Sequence, residues 1–126
     1  MQITITKIVN HNTGRINFQM DHDDCFGYWV GTMPIVGHSY DVEINIPTVL
    51  HFDSEIVATQ ERSPSFIEKP QDDVFLIGQL EDINEDVAIL RYKKSLLMLT
   101  VKGEPFPPNT WVCIGPIRLM LYDTNI

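Results

Sequence analysis

Asp21, His22, Asp23, Asp24 and Cys25 put three carboxylates, an imidazole and a thiol in five consecutive positions, with Tyr28 and Trp29 close behind. Such groups could ligate a metal, take part in acid–base catalysis, or line a solvated contact loop. A calcium loop of EF-hand type needs oxygen ligands at alternate positions and a carboxylate at the twelfth. The stretch DHDDCFGYWVGT ends in threonine and fails there. A zinc site would draw on Cys25, His22 and His38, whose spacing matches no structural zinc pattern and lacks a second cysteine pair. The stretch follows RINFQM and precedes Gly27, which points to a loop or bend where water solvates clustered acids at little cost. A turn or protein-contact loop is therefore expected, with no metal and no cofactor.

Other catalytic sets are equally thin. Ser39, Ser54, Ser63, Ser65 and Ser95 occur without a nucleophile elbow, and His11, His22, His38 and His51 share no motif with a nucleophile and an orienting acid. There is no phosphate-binding glycine loop. Glu81 with Asp82, and Glu85 with Asp86, flank a tight turn rather than face each other across a cleft as glycoside chemistry requires. A non-enzymatic protein is expected.

Charge is more informative. The 126 residues carry a formal net charge of −8, and fifteen of the 17 acidic residues fall between positions 21 and 86, where Arg62 and Lys69 are the bases. Such a block repels phosphate backbones and speeds association with a cationic partner, an effect that weakens as salt rises. Nucleic acid is thus disfavoured as a ligand of that face. The basic run RYKKS at 91–95 reads as a soluble hairpin turn. Cys25 and Cys113 stand 88 positions apart and imply no disulfide framework. No apolar run approaches the roughly 18 residues of a membrane span, and the alternating start MQITITKIVNHN is unlike a signal peptide, so a cytoplasmic location is expected.

The elements that must position these residues are strands. In YDVEINI, Tyr40, Val42, Ile44 and Ile46 alternate with Asp41, Glu43 and Asn45, which predicts a strand with one buried face. QITITKIV and RINFQM flank the turn residues HNTG and predict a hairpin. Further strands are expected in EIVATQE, VFLIGQLE, VAILRY, SLLMLTV, WVCI and IRLMLY, separated by DINED and KGEPFPPNT. The segment ERSPSFIEKPQDD at 61–73 is the one long polar connection. About eight short antiparallel strands predict an all-β single domain over residues 1–126, either a barrel or a sandwich. A five-stranded barrel of OB type with extra strands is preferred, because Gly27, Gly31, Gly37 and Gly78 lie where strands would bend to close a small barrel. Tyr28, Trp29 and Trp111 fit either a core plug or an exposed binding platform.

The stretches YWVGTMPIVGHSYDVEI, LIGQLEDINEDVAILRY and IRLMLYDTNI together resemble a group of small bacterial all-β proteins. Some of these are similar to immunity proteins of contact-dependent toxin and immunity pairs. The resemblance runs through Trp29, Gly31, Gly37, Tyr40, Val42 and Glu43. It implies a non-catalytic inhibitor that covers the active cleft of a cationic nuclease toxin. Expected partner-binding residues are Asp21, Asp23, Asp24, Asp41, Glu43, Asp72 and Asp73, with Tyr28 and Trp29 as anchors. The alternative is an OB-type binder of single-stranded nucleic acid or a small ligand, using Tyr92, Lys93 and Lys94.

Overall fold

A computed structural model describes residues 1–68 and 74–124, and within them every regular element is a β-strand. Among the described residues twelve strands form where about eight are expected, because short pieces with little alternation, such as Leu50–His51 and Ser65–Glu68, pair as well. Packing divides the chain into two compact units, Met1–Asn45 with Arg118–Ile126, and Ile46–Ile117. The sequence reading leads to one unit, since no linker composition marks the junctions.

The first unit is a closed five-stranded barrel of β1 (Gln2–Asn10), β2 (Arg15–Met20), β3 (Asp23–Val30), β4 (Ser39–Asn45) and β12 (Met120–Asp123). Around the barrel the order is β1-β2-β3-β12-β4, with β4 returning to β1. The β3–β12 pair is parallel and the other four are antiparallel. This is a Greek-key barrel of OB type, with the second unit inserted between its fourth and fifth strands.

Alternation sets what fills it. Ile3, Ile5, Ile16, Phe18, Met20, Val42, Ile44 and Leu121 are buried, each spaced by two along its strand. Phe18 lies opposite both Ile5 and Cys25, and Leu121 opposite both Trp29 and Ile44, so these side chains share the interior. Gly27 faces Ile16 across the β2–β3 ladder, and a Cβ there would sit 2.6 Å from the Leu121 Cδ1. A larger residue at that level would force the Leu121 side chain to shift and would crowd the Leu119 carbonyl oxygen, 3.0 Å from the same position.

The second unit is a seven-stranded sheet. Its continuous path is β5 (Leu50–His51), β10 (Ser95–Lys102), β9 (Val87–Tyr92), β8 (Val74–Asn84), β11 (Trp111–Ile117) and β6 (Ile56–Ala58). Strand β7 (Ser65–Glu68) pairs with the first half of β8. A bridge between Phe52 and Ile56 joins the two ends of the path, so the sheet curls back on itself. Leu76, Leu80, Leu90, Leu99, Val112 and Ile114 fill the inside. The turns at Glu85–Asp86 and Lys93–Lys94 link consecutive strands, as the acidic and basic pairs there suggest. Arg91 holds Glu81 across a bulge in the β8–β9 ladder.

The turn between β5 and β6 carries a titratable group of unusual strength. Glu55 accepts hydrogen bonds from the Ser54 hydroxyl, the His51 ring and the His51 backbone N–H. Those bonds, that of Ser54 foremost, pull its carboxyl from an ordinary 4.5 down to about 2. A depressed carboxylate stabilises the fold above its unfolded value and loses that contribution as pH falls through the folded one. Between pH 4.5 and 2 the difference in urea midpoint between the wild type and Glu55→Gln should therefore shrink steadily. A difference that stays constant over that range would show that the turn contributes nothing through its charge.

Candidate functional site

The stretch DHDDCFGYW is mostly strand, which corrects its reading as a loop. The turn is confined to Asp21 and His22, whose φ angles of 52° and 71° lie in the left-handed region, and β3 begins at Asp23. Alternation is hidden because both faces of β3 are covered from Cys25 to Trp29. A strand buried on both sides reads as a continuous apolar run. Cys25 and Trp29 point inward with their ladder partners. Phe26 and Tyr28 point outward, and each lies under a guanidinium: Arg15 is 4.7 Å from the Phe26 ring centre and Arg118 is 4.4 Å from that of Tyr28.

The two aromatics expected as anchors are consequently packed away, Tyr28 at 8% and Trp29 at 5% exposure. They belong to the barrel rather than to an open platform. Tyr92, expected in a basic nucleic-acid groove beside Lys93 and Lys94, is fully buried in the second unit. Among the described residues no three His, Cys, Asp or Glu side chains are grouped to hold a metal ion. Cys25 and Cys113 fall in different units and form no disulfide.

Strand register turns the acids of the barrel outward. On the outward face Asp24 of β3 stands opposite Gln19 of β2, Gln19 opposite Thr4 of β1, and Thr4 opposite Ser39 of β4. Asp41 and Glu43 follow Ser39 at intervals of two and share its face. Asp24, Asp41 and Glu43 are exposed, and Asp21 and Asp23 are half-buried at the adjoining β2–β3 turn. Gln19 donates to the Asp24 carboxylate at 3.1 Å. The Met1 ammonium lies 2.7 Å from Asp41, and this hydrogen bond and charge hold the Asp41 carboxyl below its ordinary range. Asp72 and Asp73 lie outside the described residues.

Two features were not anticipated from sequence. The first is a cavity of about 390 Å³ where β3 and β12 end, walled by residues 29–35 together with Tyr40 and Asp123. Trp29 and Tyr40 meet edge to face there, with ring centres 5.1 Å apart. The second is an apolar strip on the second unit, where Met98 (66% exposed) pairs with Ile89 and Ile89 with Asp82. Glu85 and Asp86 rim the depression beside it. A lone acid at the end of a strand and a methionine on its polar face carry no signal of either feature in one dimension. No protein family, curated protein or solved structure matches this chain.

Proposed function

We propose that this chain is a non-catalytic, acidic protein-binding domain that neutralises a cationic partner, in the manner of an immunity protein covering the active cleft of a basic nuclease toxin. The observation that carries the reading is that Asp24 of β3 and Asp41 and Glu43 of β4 all stand exposed on the outside of the barrel, the last two on the same face of their strand. Exposed carboxylates make the potential around the barrel negative, so a basic partner is drawn to it and its rate of encounter rises. The resemblance to immunity proteins points the same way, as does the net charge of −8.

The test is capture of the tagged chain with its partner from the native host at low salt, followed by a nuclease assay. Recovery of one basic protein whose activity falls on stoichiometric addition of the chain is the expected result. A captured partner whose activity is unaffected would overturn inhibition. With the partner in hand, a variant combining Asp24→Asn, Asp41→Asn and Glu43→Gln should associate about tenfold more slowly at low ionic strength. Near 1 M salt, where screening acts within about 3 Å, the two rates should converge. An unchanged association rate at low salt would remove these acids from the interface.

One observation favours a second reading, an OB-type binder of single-stranded nucleic acid or a small ligand. The barrel has the OB strand arrangement, and Phe26 and Tyr28 lie on the outward β2–β3 face that such barrels use for ligands. Each ring already carries an arginine, so a base would have to displace it. The same capture experiment separates the readings: nucleic acid in the eluate, released as salt rises, would support the second and defeat the first.

A further inference from the structure

We infer that the outward face of the sheet formed by β8, β9 and β10 docks a segment of the partner polypeptide in which apolar side chains are followed by arginine or lysine. This rests on the reading of a cationic protein partner and adds a contact surface on the second unit. Leu96 and Met98 of β10, 51% and 66% exposed, alternate with the buried Leu97 and Leu99 and so stand together on the outer face. Ile89 of β9 lies opposite Met98, and Asp82 of β8 lies opposite Ile89. The strip runs into a depression of about 410 Å³ whose lining joins the apolar Val87, Ile89 and Met98 to the acidic Asp82, Glu85 and Asp86.

A strand with one buried face carries polar residues on the other, as β10 does at Thr100 and Lys102. Leu96 and Met98 break that rule on the same strand. A single exposed apolar side chain needs no explanation, but these two adjoin Ile89 and Val87 on the next strand, and contiguous apolar surface marks a contact site. Methionine suits such a site, because its unbranched, polarisable chain adapts to what it meets. The acids beside the strip are held in place before a partner arrives, since the Asp86 carbonyl accepts the Val101 N–H at 2.8 Å and ties the β8–β9 turn to β10. A pre-formed surface of this kind lowers the ordering cost of binding.

Charge selects the occupant. Among the described residues, Asp82, Glu85 and Asp86 take part in no ion pair and no side-chain hydrogen bond. Glu81, one position away, shows the contrast, because Arg91 engages both of its carboxylate oxygens. Three open carboxylates repel the phosphates of nucleic acid and of anionic lipid. A second copy of this chain is disfavoured, since each copy carries a net charge of −8. A basic polypeptide satisfies strip and acids together. Its apolar side chains cover Leu96 and Met98, and the stem of a following arginine or lysine lies along Val87 and Ile89 while the charged head meets a carboxylate.

The probe is the peptide acetyl-Leu-Ser-Leu-Arg-Arg-amide, whose two leucines face the same way in an extended chain. It is titrated at low ionic strength into the full chain labelled with ¹³C at the methionine methyls, and Met98 is followed by NMR. A saturable shift of the Met98 methyl is expected. Binding about fivefold weaker is expected when glutamine replaces both arginines, and again when serine replaces both leucines. The same loss is expected for the original peptide when Asp82→Asn, Glu85→Gln and Asp86→Asn are combined. No saturable shift at Met98, or equal binding of the three peptides, would overturn the inference without recourse to a variant. Binding undiminished in the combined variant would also overturn it. So would sedimentation of the chain as a dimer that Leu96→Gln with Met98→Gln dissociates, because a second copy would then be the occupant. Peptide binding as expected with no cationic protein captured would defeat the proposed function alone. A captured partner that binds the combined variant and the Met98→Gln chain as tightly as the wild type would defeat the sheet-face assignment alone.

Discussion

Phe18→Ala should lower the unfolding free energy by about 4 kcal/mol, the largest effect expected of any single substitution in the barrel. Phe18 has no solvent exposure and stands between Ile5 on β1 and Cys25 on β3. Truncation removes an aromatic ring from the interior and leaves a void, since a closed ring of five strands cannot collapse inward at one point without breaking ladder hydrogen bonds. Against a total stability of about 5–15 kcal/mol for an ordinary domain, such a loss approaches the threshold of unfolding. In urea it corresponds to a fall in midpoint of about 2 M, at a slope of about 2 kcal/mol per M. Lys7→Ala on the exposed side of β1 should change stability by less than about 0.5 kcal/mol. A midpoint for Phe18→Ala within experimental error of that control would mean that the barrel interior is not packed as described.

Gly14→Ala should cost about 3 kcal/mol, for a reason that is steric as well as conformational. Gly14 closes the β1–β2 hairpin at φ +80°, a region that disfavours a side chain. Its N–H donates to the Asn10 carbonyl at 3.0 Å and its carbonyl accepts the Trp29 N–H at 2.8 Å. The second bond draws the backbone of β3 so close that a Cβ on residue 14 would lie 2.4 Å from the Trp29 carbonyl oxygen. Backbone oxygen cannot swing aside as the end of a flexible side chain can. Gly37 offers the control, with φ +88° and open space where its Cβ would stand. Gly37→Ala should therefore show only the conformational cost of about 1–2 kcal/mol. Thermal or urea unfolding of the two variants side by side isolates the steric part, and equal losses would deny the close approach of residue 14 to β3.

These two positions also mark how far one dimension reaches. The HNTG turn, the strand YDVEINI and the pairs at 85–86 and 93–94 were legible because turn residues and period-two alternation are local properties. Ile16, Phe18 and Met20 follow from the same alternation. Strand β3 was not legible, because its outward residues Phe26 and Tyr28 are covered by arginine side chains and so need not be polar. An acid-rich start then gave it the composition of a loop. The roles of Tyr28, Trp29 and Tyr92 were open for a related reason: an aromatic suits a core and a binding surface equally, and burial alone separates them.

The sequence by itself determined the class of the protein. Its apolar residues alternate in short runs, its turns carry Gly, Pro, Asn and Asp, and its charge is strongly acidic, all of which are written in composition and spacing. Tertiary structure decided what those runs enclose. Joining β3 to β12 requires a pairing of residues about ninety positions apart, Tyr28 with Met120 and Val30 with Tyr122. That pairing closes the barrel and brings Asp123 to the cavity beside Trp29. Likewise the register of β1 against both β2 and β4 turns Asp24, Asp41 and Glu43 to the outside of the barrel. Long-range register depends on which closure buries the most apolar surface with every ladder bond made, a property of the whole chain that no local window contains.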